Sequence, residues 1–148
     1  MPTAITGNER PGATQRRETT ANPGRLAEGK GETMRRIVED LIRVEGVIGS
    51  LLVGKDGLVV ASTLLDEEDA EILGAMSAAV FGEIDKATKR IGVGTLLDTI
   101  IDAEQGSILM LEARELILVV ITQRMVNLGL VKMEMRRASR RISEAVPI

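Results

Sequence analysis

The side chains that most often do chemistry are missing from this 148-residue chain, which has no cysteine and no histidine. That removes thiol nucleophiles, disulfide frameworks, zinc sites of the usual kind and histidine-based triads. What remains are carboxylates, lysines and serines, and their spacing fits no familiar site. Asp66-Glu67-Glu68-Asp69 concentrates negative charge but lacks the alternating ligands, the glycine and the distal glutamate of a calcium loop. It reads instead as the acidic start of a helix, with Asp66 as the cap. Gly24-Arg-Leu-Ala-Glu-Gly29-Lys30 has the glycine–lysine spacing of a phosphate loop. Gly31, however, stands where a Ser or Thr must ligate magnesium, and residues 14–23 are too polar to be the buried strand before it. Ser50, Ser62, Ser77 and Ser107 have neither a partner base nor a nucleophile elbow. No cofactor, metal or catalytic residue is assigned. The chain reads as a binding or scaffolding protein, not an enzyme.

Composition narrows the partners. The formal net charge is −3 and the sequence pI near 5.2, so bulk attraction to nucleic acid or anionic membrane is not expected. Phe81 is the one aromatic residue, too few for a base-stacking platform. The longest aliphatic run, Leu116–Ile121, is far shorter than the roughly 20 residues that span a bilayer. The first residues show no apolar signal core. A cytoplasmic protein with no membrane insertion is expected.

The elements that must position any interaction surface follow from periodicity. Residues 1–30, rich in Thr, Gly, Pro and Arg, hold only Met1, Ile5 and Leu26 as large apolar side chains. They are expected to be a disordered tail, with a single domain over 31–148. Met34, Ile37, Val38, Leu41 and Val44 predict a helix over 32–45. Val47–Val53 and Leu58–Ser62 read as strands joined by a tight turn at Gly54-Lys55-Asp56-Gly57. A second helix follows over 66–91, then strands at 95–102, 107–112 and 115–122, then a helix capped by Asn127 and running from Leu128 to Val146. Leu116–Ile121 is apolar on both faces and belongs in the middle of a sheet. Asp98 and Asp102 share one face of their strand, as an edge position tolerates. The fold class is α+β: a five-stranded, mainly antiparallel sheet sandwiched between helices.

Helix 66–91 carries two apolar faces. Leu73, Met76, Val80, Ile84, Ala87 and Ile91 form the bulkier stripe and are expected to face the core. Opposite them Gly74, Ala78 and Gly82 recur every four residues, beside Ala75, Ser77 and Phe81. Small residues at that spacing let another backbone approach closely, which suggests packing on a second copy. In the last helix, Val131, Met135, Ala138 and Ile142 face inward, and Lys132, Arg136, Arg137 and Arg140 outward. Residues 31–128 have 9 basic against 17 acidic side chains, or −8, whereas 129–148 have 5 against 2, or +3.

The element order, Lys55-Asp-Gly57 in the first hairpin and the small-residue second helix together resemble the Roadblock (dynein light chain) family, in particular its prokaryotic MglB-like branch. Asp66–Met76 looks like that branch's second helix start, and Asn127–Ile142 like its closing helix. The resemblance implies a profilin/Roadblock-like sheet ordered 2-1-5-4-3. It also implies a homodimer, with the second helix on its mate and the third strand extending the sheet. On this chain the dimer interface falls on Gly74, Ala78, Phe81, Gly82, Thr95, Leu97 and Thr99. The partner implied is a small Ras-like GTPase, met by the acids Glu67, Glu71 and Asp85 on the paired helices. A structural adaptor without a GTPase, or a small-ligand sensor, are the alternatives.

Overall fold

The computed structural model describes residues 23–146. Residues 1–22, most of the expected tail, lie outside them. Two compact units divide the chain, Met1–Glu32 and Thr33–Ile148. Helix α1, Pro23–Leu41, passes from the first into the second. The division falls two residues after the expected boundary at residue 30, but residues 23–30, expected to be disordered, are helical. The phosphate-loop look-alike at Gly24–Gly31 lies in this helix and is not a loop.

The second unit continues with β1 (Val47–Gly54), β2 (Val59–Ser62), α2 (Glu67–Arg90), β3 (Asp98–Ala103), β4 (Gly106–Ala113), β5 (Leu116–Gln123) and α3 (Leu128–Ala145). The five strands lie in the order β2-β1-β5-β4-β3, and every neighbouring pair is antiparallel. This is the expected order, with β5 central and β3 at an edge. β3 begins three residues later than the periodicity indicated, because Gly92 and Gly94 both take positive φ and carry an irregular segment up to Leu97.

Local chemistry sets the junctions. Gly57 (φ 92°) makes the β1–β2 turn, and the Asp56 carboxylate accepts the Leu58 amide. Asp66 caps α2 by accepting the amides of Glu68 and Asp69. Asn127 does the same for α3 through Leu130 N–H.

The sheet has unequal faces. On one, Ile37, Val38 and Leu41 of α1 and Val131, Met135 and Ile142 of α3 bury Leu52, Leu118 and Val120. Ser50, fully buried, donates its hydroxyl to Val38 C=O at 2.6 Å and so fastens α1 to β1. The other face has one helix. Ala78 and Phe81 of α2 pack on Leu51, Val53, Met110, Ile117 and Val119. Five strands about 4.8 Å apart span roughly 19 Å, and a helix about 10 Å wide covers only half of that.

Candidate interaction surface

Of the stripe expected to face the core, Leu73 packs partly buried against the sheet, but most of the rest faces out. Met76 is 61% exposed, and Ile72, Val80, Ile84 and Ile91 are exposed as well. Ala70, Gly74, Ser77, Ala78 and Phe81 are the buried residues of α2. The assignment of Gly74, Ala78 and Phe81 to an interface between copies is thereby corrected: they pack against the chain's own sheet. The cause is the closeness of α2. A Cβ on Gly74 would lie 2.9 Å from Val59 Cγ2 and 3.4 Å from Gly57 C=O, and one on Gly57 would lie 3.4 Å from Ala75 Cα. Small side chains admit the helix to the first hairpin, and the larger row is left on the opposite flank. Gly82 is half-buried, with nothing within 4 Å of a Cβ built on it.

That larger row lies on the flank of α2 away from the first hairpin. Contact with the β1–β2 hairpin through Gly74 and Ala75 sets one flank of α2 toward β2, so the Met76–Val80–Ile84 flank points toward β3. There, Thr99 and Ile101 lie across from Met110 and Ile108 on the α2 side of the sheet. Leu97, just before the strand, is 70% exposed, and Thr95 is exposed too. Row, bare strands and open β3 edge together form an apolar surface on one side of the domain.

The three predicted partner-binding acids differ in what they do. At 100° per residue, Glu67, Glu71 and Asp85 share the flank opposite the apolar row. Glu67 and Glu71 are exposed. Asp85 is occupied: its carboxylate accepts Leu96 N–H at 2.9 Å and pairs with Lys89 at 3.0 Å. The bond from Leu96, helped by Lys89, holds its pKa below the ordinary carboxylate value. Asp85 is thus a latch holding the irregular segment against α2. Lys55 Nζ meets Glu112 Oε2 at 2.6 Å, and this bond raises the lysine pKa.

A family model described as the Roadblock/LC7 domain matches residues 34–122. The chain belongs to the Roadblock/LC7 family. An uncharacterized protein of Methanocaldococcus jannaschii is 49% identical over 107 residues, covering 72% of this chain and 94% of that one. MglB of Myxococcus xanthus superposes with a TM-score of 0.73 at 20% identity, over 80% of this chain and 93% of that one. An MglB with tetrameric arrangement gives 0.71 at 20% identity, over 78% and 89%. At such identities the structural neighbours share the fold of this Roadblock domain. The expected sheet order is the one observed in this chain.

Among the described residues no helix is long and apolar enough to cross a membrane. Sequence reasoning missed Ile72 and Ile101 as surface residues. The signal for Ile101 was its register opposite Ile108, which a sequence without strand pairing does not reveal.

Proposed function

We propose that this Roadblock domain is a homodimeric, non-enzymatic platform for a small Ras-like GTPase in the cytoplasm. The observation that carries the reading is the half-covered α2 side of the sheet. A second copy's α2, lying beside the first through Met76, Val80 and Ile84, supplies the missing helix. The open β3 edges then join the two sheets, with Leu97, Thr99 and Ile101 beneath the helix pair. The contact is isologous, as a two-fold axis requires. An MglB that assembles as a tetramer is consistent with self-association of this fold.

In such a pair Glu67 and Glu71 stay on the flanks away from the seam and remain open to a partner with a basic face. Their expected contribution is to association rate and its salt dependence. A platform that regulates a GTPase must bind its GTP and GDP forms unequally, because only differential affinity shifts a conformational balance. Calorimetry against each small GTPase of the same genome, in both nucleotide states, tests this. Unequal affinities support regulation. Equal affinities leave a structural adaptor, and no binding to any GTPase overturns the reading.

A further inference from the structure

Both ends of α2 display groups that the single chain leaves unused. Leu65, just before the helix, is fully exposed, and Ile91 and Val93, just after it, are 73% and 69% exposed. Asp69 in the first turn and Arg90 in the last are exposed, and neither has an ion-pair partner among the described residues. The segment after the helix is nonetheless held in place. Val93 N–H and Gly94 N–H both donate to Thr88 C=O, at 2.9 and 3.1 Å, and Glu112 N–H donates to Leu97 C=O at 3.3 Å. With the Asp85 latch at Leu96, these bonds fix the backbone and leave Ile91 and Val93 in solvent. A surface fixed in advance loses little freedom on association.

A two-fold axis turns these leftovers into partners. The exposed row Ile72, Met76, Val80 and Ile84 is centred level with Ala78, and an isologous contact pairs all four when the axis passes there. The two helices then run antiparallel, with Met76 facing Val80 and Ile72 facing Ile84. On the same axis Leu65 comes level with Ile91 of the second copy, and Asp69 with its Ala87. Arg90 lies three residues beyond Ala87, about 4.5 Å along the helix, within an arginine's reach of that carboxylate. At 100° per residue Asp69 falls between Met76 and Val80, and Arg90 falls at the angle of Ile72. Neighbouring charges leave the pair intact. Lys86 is engaged by Glu83 and Lys89 by Asp85, and residues 56–85 contain no Lys or Arg.

We infer that this chain selects a second copy of itself by a charge lock at each end of the paired α2 helices. Arg90 of one copy pairs with Asp69 of the other, and Ile91 and Val93 of the first cover Leu65 of the second. The inference rests on the dimer proposed above and adds what chooses the mate. A Roadblock chain with an acid at position 90, or a base at position 69, brings like charges together at the seam. Two-fold symmetry makes the lock twice in every homodimer.

Charge reversal tests the lock on the full chain, with mass and dissociation constant read by sedimentation across a dilution series. Asp69→Arg and Arg90→Asp should each weaken the dimer about ten-fold with an unchanged circular dichroism spectrum. An equimolar mixture of the two variants should dimerise as tightly as the natural chain, because every Arg then meets an Asp. The double variant, Asp69→Arg with Arg90→Asp, should pair with itself and reject the natural chain. Unchanged affinity in both single variants, or a mixture no tighter than either variant alone, overturns the lock and leaves the dimer standing. A natural chain that is monomeric throughout sinks the dimer and the lock together.

Discussion

The two faces of the sheet are built from the same alternating strands and end in different states. On β5, Leu118 and Val120 go to the α1/α3 side while Ile117 and Val119 go to α2. Two helices cover the first side, and Ile37, Val38 and Ile142 there are completely buried. One helix lies on the second, and its own bulky row remains in solvent. A gap on one face of an otherwise packed domain is what the proposed second copy would fill, with a helix of the same kind. The difference teaches why the proposed function is placed on the less covered layer of the sheet.

The largest effect that sharpens this contrast is on stability. Phe81→Ala removes the aromatic that anchors α2 and should cost about 3–5 kcal/mol; Ile37→Ala on the opposite face should cost about 2–5 kcal/mol. Chemical denaturation at several protein concentrations checks both, and both costs should persist on dilution. An α2 substitution on the exposed row should show the reverse, with stability of the single chain kept and concentration dependence lost.

A gain of about 1 kcal/mol is expected from Ser77→Ala. Ser77 Oγ is buried on the α2 face with no hydrogen-bond partner, and removing an unsatisfied hydroxyl relieves its desolvation cost. The denaturation midpoint should rise. A fall would mean that Ser77 is satisfied in solution.

Acid should loosen the α2 side locally. The Asp85 pKa is lowered in the folded chain, so its contribution is full above the ordinary value of 3.8 and disappears as pH falls through the depressed folded value. Amide exchange at Leu96 should speed up over that acid window, and Asp85→Asn should abolish the pH dependence. The smallest effect concerns the N-terminus. We propose that residues 1–22 are dispensable for folding. Their removal should leave circular dichroism unchanged and shift the melting temperature by no more than a few degrees.

Much of this was legible in the residues. Strand alternation placed Leu116–Ile121 at the centre, Asp98 and Asp102 fitted an edge, and Asp66 and Asn127 marked their helix starts. Two readings failed for physical reasons. The start of α1 at Pro23 was hidden because helix formation there needs no apolar stripe of its own once the helix continues into the packed stretch from Met34. The faces of α2 were exchanged because the bulkier stripe was taken as the core. What decides is how near the helix sits to the sheet, and at Gly74 and Gly57 it sits too near for larger side chains.

The central claim is that the exposed row of α2 is the seam between two copies. Multi-angle light scattering across a micromolar dilution series should give twice the 15.9 kDa chain mass for the natural sequence. Val80→Asp should bring it to 15.9 kDa with an unchanged circular dichroism spectrum. A natural chain that is monomeric at every concentration, or a Val80→Asp variant that keeps the doubled mass, would contradict it.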